Sequence, residues 1–545
     1  MSEHREHRLE INHFAVAIAA FGVASAMAVM QALSRANVNL PFRSESLYYI
    51  SMTAHGVLMA LVFTTFFIMG LGYLLVRQCL GRITWERLAH VSFWVATAGT
   101  VMTAAAILSG TSTVLYTFYP PLKAHWTFYA GATLLVIGSW GFCAVFIASY
   151  RAYRREHPAL PVPLAVHGML ATVIIWILAT AGLAVEDLGM LLPWSLGLVE
   201  KIDPLVARTW FWWFGHPLVY FWLLPAYVIW YTIVPRVAGG RLFSDRLARV
   251  VFIMFVIFSV PVGFHHQFAD PGIDAGWKLA HTFSTYVILF PSLLTAFTVI
   301  ASFETAGRLR GKTGLFDWLG ALPWGDPLFA SVALAMITFA LGGFGGAINA
   351  AYAMNSLVHN TAFIQAHFHL TVGTAVALTF LGTCYWLMPR LLGRELRFRR
   401  VAQVQPYLWF VGMMMFSLST HIAGMMGMPR RIFAGDYQGA PAAAQWQGLT
   451  ALSAVGGVVL FVSSLCFLAV VVGTAFWGRR ITPPPIVFAT PLAAGTGEAV
   501  ERRSVWDRFG LWTAVAVALV VVAYAYPICH LYMMHRYGSI GYTPF

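Results

Sequence analysis

A chain of 545 residues that is 59% hydrophobic and 10% charged, with a mean hydropathy of +0.72, has too few polar side chains to clothe a water-soluble domain of any size. This excludes an ordinary soluble enzyme and describes an all-α, polytopic transmembrane bundle, since helices satisfy their own backbone in hydrocarbon. The formal net charge of +13 comes from arginines grouped in alternate connections, so it does not point to a nucleic-acid partner.

In chain order, apolar stretches of about 20 residues predict thirteen spans, near 13–33, 49–76, 89–110, 126–149, 163–185, 209–234, 248–268, 279–302, 327–345, 353–388, 405–427, 447–476 and 510–533. Arg5, Arg8 and then the apolar run from Phe14 read as a retained first helix, not a cleaved signal. Arg77, Arg82 and Arg87, then Arg151, Arg154 and Arg155, then Arg236, Arg241, Arg246 and Arg249 begin the alternation of basic loops. It places the N-terminus in the cytoplasm and the C-terminus outside. The polar stretch at about 478–508, which includes Pro483-Pro484-Pro485, reads as a cytoplasmic loop within one domain covering 1–545. Cys79, Cys143, Cys384, Cys466 and Cys529 have neither disulfide-framework nor metal-site spacing.

Six histidines inside these spans form a pattern: His55, His216, His265, His266, His367 and His369. An imidazole in hydrocarbon is costly without a partner, and it is a common ligand of copper, zinc and haem iron. On the expected topology all six fall in the outer half of the membrane. His367 and His369 lie about 200° apart around a helix, so each needs its own metal. His265 and His266, only about 100° apart near a helix end, can turn toward one ion. His216 from another helix would complete a three-histidine copper site with an open position. His281 and His421 read instead as hydrogen-bonded to neighbouring structure.

These residues stand in longer motifs: Thr53-Ala-His55-Gly56, Val114-Leu-Tyr-Thr-Phe-Tyr-Pro-Pro-Leu-Lys123, Phe211-Trp-Trp-Phe-Gly-His216-Pro-Leu-Val-Tyr220, Pro261-Val-Gly-Phe-His-His-Gln-Phe-Ala-Asp-Pro-Gly272, His359-Asn-Thr-Ala362, His367-Phe-His369 and Pro429-Arg-Arg431. Across essentially its whole length the chain resembles subunit I, the catalytic subunit, of haem–copper oxygen reductases, and within them the B family of ba-type cytochrome c oxidases. The resemblance implies that His55 and His369 ligate a low-spin haem b. It implies that His367 ligates a high-spin haem, of a-type or a derivative, facing a copper held by His216, His265 and His266. O2 would then be reduced to water, with proton translocation coupled to the reaction, in a prokaryotic plasma membrane. Tyr220 would be linked covalently to His216 and supply an electron and a proton. Arg430 and Arg431 would pair with haem propionates, joined by His359 and Asn360. Asn355 departs from the pattern, standing where an aspartate is expected, and this bears on pumping.

Protons need a route, and acids are nearly absent from the spans; Leu218 occupies the position where A-family oxidases carry a glutamate. Hydroxyls remain. Tyr231, Thr295, Ser292 and Tyr227, leading to Tyr220, match the single channel of the B family, with Thr298 beside it and Ser244 near its mouth. An ion pair between Arg208 and Asp270 is expected at the outer ends of neighbouring helices. The absence of a CxxxC cluster places the electron-accepting dinuclear copper on a second subunit, which would take electrons from cytochrome c or a cupredoxin, with quinol the donor if that subunit lacks copper. Membrane lipid and a small single-helix subunit complete the expected partners. Nitric oxide reductases share the six histidines, but their non-haem iron favours an added glutamate ligand and none lies near His216 or His265. A metal-free transporter would show no haem absorbance.

Overall fold

The computed structural model describes residues 7–492, 503–534 and 536–543; Arg5, Arg502 and the centre of the expected 478–508 loop lie outside them. Among the described residues, twelve continuous helices are long and apolar enough to cross a membrane: α1 (Arg8–Arg35), α2 (Glu45–Leu80), α3 (Glu86–Leu108), α4 (Trp126–Glu156), α5 (Leu164–Ser195), α6 (Pro204–Val237), then, after a shorter helix α7 (Asp245–Phe258), α8 (Ala275–Arg308) and α9 (Pro327–Ala350), then, after α10 (Tyr352–Val358), α11 (Ala362–Leu392), α12 (Arg399–Met425), α13 (Gln447–Trp477) and α14 (Phe509–Met533). Strand pairing among the described residues is limited to isolated bridges. The protein is a multi-pass, all-α membrane bundle.

Two expected spans differ from what forms. The stretch 248–268 is not one helix: α7 stops at Phe258, and a short 3-10 turn follows at Gly263–Gln267. Pro261 explains the break, since its ring disfavours helical backbone at the residue before it. The broken segment still completes a pass. Phe243 N–H bonds Ser302 Oγ at one end of α8, and Lys278 Nζ bonds the Phe268 carbonyl at the other, about 36 Å apart along that helix. The stretch 353–388 divides as well, into α10 and α11, at His359–Thr361, where Asn360 adopts φ +58°.

Local sequence fixes the helix starts. Asp203 and Asp326 each accept two backbone N–H groups of the following turn and precede a proline at the first helical position. Ser44 caps α2 by accepting Leu47 N–H. α3 packs along α4, α5 along α6 and α12 along α13. α6 is almost wholly enclosed, whereas α8 exposes a row of Leu279, Phe283, Phe290, Leu293, Phe297 and Ile300 suited to lipid. Wider π-type turns at Leu58–Phe63 in α2 and Thr371–Val376 in α11 follow directly on the turns that carry His55 and His369. Such turns shift the register of side chains and recur at functional sites.

Candidate metal and cofactor site

Three histidines converge where α6 meets the 3-10 turn. One ring nitrogen from each of His216, His265 and His266 lies within 4.8 Å of the others. His216 Nδ1 stands 2.9 Å from His266 Nε2, while its own Nε2 is 2.8 Å from Tyr220 Oη. The ring therefore has one nitrogen toward the cluster and one toward the phenol. His265 Nδ1 bonds Thr285 Oγ1 on α8 at 2.9 Å, which turns Nε2 inward. Trp212, one turn before His216, lies flat on His266 with ring centroids 3.7 Å apart and planes 5° from parallel. Unbroken helix could not present adjacent histidines this way; the 3-10 turn does.

The remaining three each bond a backbone carbonyl through Nδ1. His55 bonds Ala24 O at 3.0 Å, His367 bonds Gly342 O at 2.8 Å and His369 bonds Gln365 O at 2.7 Å. Donating Nδ1–H fixes the tautomer and leaves the Nε2 lone pair for a metal. His55 and His369 face each other with centroids 6.2 Å apart and planes 10° from parallel. Imidazoles bonded at about 2 Å on either side of one metal stand at about that separation. Gly345 and Gly346 let α9 approach His367: a Cβ at either would lie 3.1 Å from its ring.

All six imidazoles line one cavity of about 750 Å³. Arg430, Arg431, His359 and Asn360 all line it. Arg430 N–H bonds the Asn360 carbonyl, and Asn355 Oδ1 lies 3.1 Å from His359 Nδ1. Arg431 has a left-handed backbone, φ +67°, that costs a non-glycine residue energy, and Tyr49 Oη donates to its carbonyl. Arg430 is enclosed by chain yet open to the cavity; that burial, with Arg431 beside it, pushes its pKa down to about 10. Burial and Arg430 likewise hold His359 below the usual imidazole range. Two adjacent guanidiniums without a carboxylate within 4.0 Å among the described residues call for anions in the cavity. Tyr119 Oη, Trp212 Nε1, Asn349 Oδ1 and Gln365 Nε2, on residues of its wall, are buried without protein partners. The donor set and the unmet polar atoms thus fit two haems and a copper better than an empty apolar pocket.

The hydroxyl residues fall into pairs. Tyr231 Oη donates to Thr295 Oγ1 at 2.7 Å, and Tyr227 Oη to Ser292 Oγ at 3.4 Å. Ser292 and Tyr220 both line the cavity. Thr298 donates to its own helix at Leu294 O, and Ser244 caps α7 by accepting Leu247 N–H. Arg208 and Asp270 form the expected pair at 3.0 Å. His281 and His421 are hydrogen-bonded to backbone. Trp212 and Thr285 carry no signal in the sequence, because their role appears only when helices pack. His13 and His167, outside the six-histidine pattern, are fully buried away from the cavity.

Residues 8–459 match the family described as cytochrome c and quinol oxidase polypeptide I. The chain is 43% identical over 523 residues to cytochrome c oxidase subunit 1 of Thermus thermophilus, covering 94% of this chain and 92% of that one. It is 25% identical to the subunit of the same name from Synechocystis, covering 82% and 79%. Among solved structures, a heme-copper terminal oxidase dimer determined by cryo-EM superposes with a TM-score of 0.92 at 37% identity, over 98% of this chain and 95% of that one. With its six cavity-facing imidazoles and its membrane bundle, the chain belongs to the cytochrome c and quinol oxidase polypeptide I family and is the catalytic subunit of a haem–copper terminal oxidase.

Proposed function

We propose that this subunit reduces O2 to water at a high-spin haem and copper, using cytoplasmic protons and electrons from cytochrome c or a cupredoxin passed through a second subunit with dinuclear copper. The observation that carries the reading is the three-histidine cluster opening into the same cavity as His367, whose Nε2 is left free. His216, His265 and His266 hold the copper, His367 the high-spin haem of a-type or a derivative, and His55 with His369 the low-spin haem b. When bound, these groups supply electron storage and the site where O2 is held. Among the described residues the cluster contains no carboxylate, which favours copper over the iron of nitric oxide reductases.

The chain's own part is orientation and proton handling. Tyr220 keeps its hydroxyl 2.8 Å from His216 Nε2, placed to give up a proton beside the reaction site. Tyr231 with Thr295 and Tyr227 with Ser292 hand protons on toward the cavity, Ser244 and Thr298 flank that route, and proton translocation is coupled to it. Arg430, Arg431, His359 and Asn360 bind the haem propionates at the other end. The arginine-rich loops face the cytoplasm, the C-terminus lies outside, and residues 1–545 act as one domain beside the second subunit, a small single-helix subunit and lipid. A reduced-minus-oxidised spectrum with metal analysis of the purified complex tests this. Two haems and one copper in addition to the second subunit's are expected; a colourless, copper-free subunit overturns it.

A further inference from the structure

From Ala362 to Leu370 the start of α11 is apolar except for its two histidines and Gln365. Gln365 precedes His369 by four residues and so shares its helix face, one turn nearer Arg430 and Arg431. That end is pinned, because Ala362 N–H bonds Met428 O and Thr361 bridges to Pro429. Gln365 does two separate things. Its carbonyl accepts Nδ1–H of His369. Its side chain, 9% exposed, lines the cavity, and its Nε2 is buried without a protein acceptor.

An amide donor left unmet in apolar surroundings is costly, and which end of a glutamine amide carries nitrogen is settled by its partners. No protein group serves Nε2 in its buried position and no hydrogen bond among the described residues holds Oε1, so exchanging the two ends of the amide turns the N–H toward a group in the cavity. Resting on the assignment of His55 and His369 to the low-spin haem, we infer that Gln365 is a positioning residue that donates an amide N–H to a carboxylate of that haem, at the edge nearest Arg430 and Arg431. A donor there offsets negative charge beside the ring and favours the reduced state, the way hydrogen bonds around a cofactor tune its potential.

The test is a redox titration of the purified complex, followed at the low-spin bands, with Gln365→Met and Gln365→Glu. Methionine keeps the length and lacks the N–H; glutamate replaces the donor with a negative charge. Both variants should keep the low-spin bands and the carbon monoxide difference spectrum of the high-spin haem. The low-spin midpoint should fall in Gln365→Met and fall further in Gln365→Glu, there by roughly tenfold in the reduction equilibrium, about 59 mV for one electron. An unmoved midpoint in both variants overturns the inference. Loss of the low-spin bands from Gln365→Met overturns it too, since the side chain would then serve packing alone. Wild-type protein without a bis-histidine spectrum would instead break the haem assignment, leaving a different and distinguishable result.

Discussion

Each cavity-facing histidine that bonds the protein through one nitrogen is held in a single tautomer, so the binding geometry depends on partners that carry no metal themselves. Thr285 is one such partner, since its hydroxyl meets His265 Nδ1 at 2.9 Å. Thr285→Val keeps the shape and removes the bond; copper retention is expected to fall by about 10- to 100-fold, read as copper content after dialysis against a chelator. His367→Ala should erase the high-spin haem signal and leave the bis-histidine spectrum, because His55 and His369 face each other without it. Loss of the bis-histidine spectrum alone would reverse the assignment. The ligand candidates were legible in the sequence because a histidine in an apolar span is conspicuous and two residues of helix separate His367 from His369 by about 200°. Thr285 and Trp212 were not, since a threonine or tryptophan on a membrane helix gives no signal until the facing helix is in place.

At the scale of elements, the segment bearing His265 and His266 is broken, and its α7 end is tied down by charge. Arg249 on α7 bonds Asp245 Oδ2 at 2.6 Å, Asp507 Oδ1 at 2.9 Å and the Val162 carbonyl at 3.0 Å. Asp507 itself accepts the backbone N–H of Ser504, so the segment leading into α14 is fastened to α7. Arg249→Met would leave two buried carboxylates facing each other, at a cost of about 3–5 kcal/mol. Its thermal unfolding in detergent should move down accordingly, with copper lost at lower temperature than in wild type. Burial raises the Asp507 carboxyl, but the Ser504 N–H and Arg249 more than offset it, and the group is held below the usual carboxylate range. A folded-state pKa below the unfolded one gives stability that is complete above about pH 4 and is lost as pH falls through the folded value. Asp507→Asn should flatten that acid limb in thermal unfolding measured against pH. A limb of unchanged slope would assign acid sensitivity to other groups. Of these features, the spans were readable from hydropathy and α7 was expected as a helix. Its break was not, because Pro261 weighs less in a hydropathy window than the apolar residues around it. The divide between α10 and α11 escaped for the same reason, being made by the backbone at Asn360 within an otherwise continuous apolar run.

For the whole molecule the question is how protons cross half a membrane without acids. Glu186 and Asp187 are buried, but they lie on α5, away from the cavity wall that carries Tyr220 and Ser292. The hydroxyl pairs lie on α6 and α8, and both helices run from the arginine-rich face toward the three-histidine cluster. Tyr220, Tyr227 and Tyr231 stand seven and four residues apart on α6, so the phenols follow one face from its middle toward its C-terminal end. Thr295 Oγ1 receives the Tyr231 proton and donates in turn to Pro291 O, a carbonyl of its own helix. Thr295 is therefore a relay only if its hydroxyl rotates, whereas Tyr231 holds the one phenolic O–H at that level of the route. Tyr231→Phe removes this O–H while keeping the ring that packs on Phe252. Proton uptake after mixing the reduced enzyme with O2 should slow by about 10²-fold, the scale for a removed proton-transfer group, with both haem spectra and the copper content as in wild type. Thr295→Val, which leaves the phenol but takes away its acceptor, should slow uptake less. If Tyr231→Phe turns over at the wild-type rate, the protons enter by another face of the bundle and the α6–α8 route is refuted, while the metal centre stands unaffected.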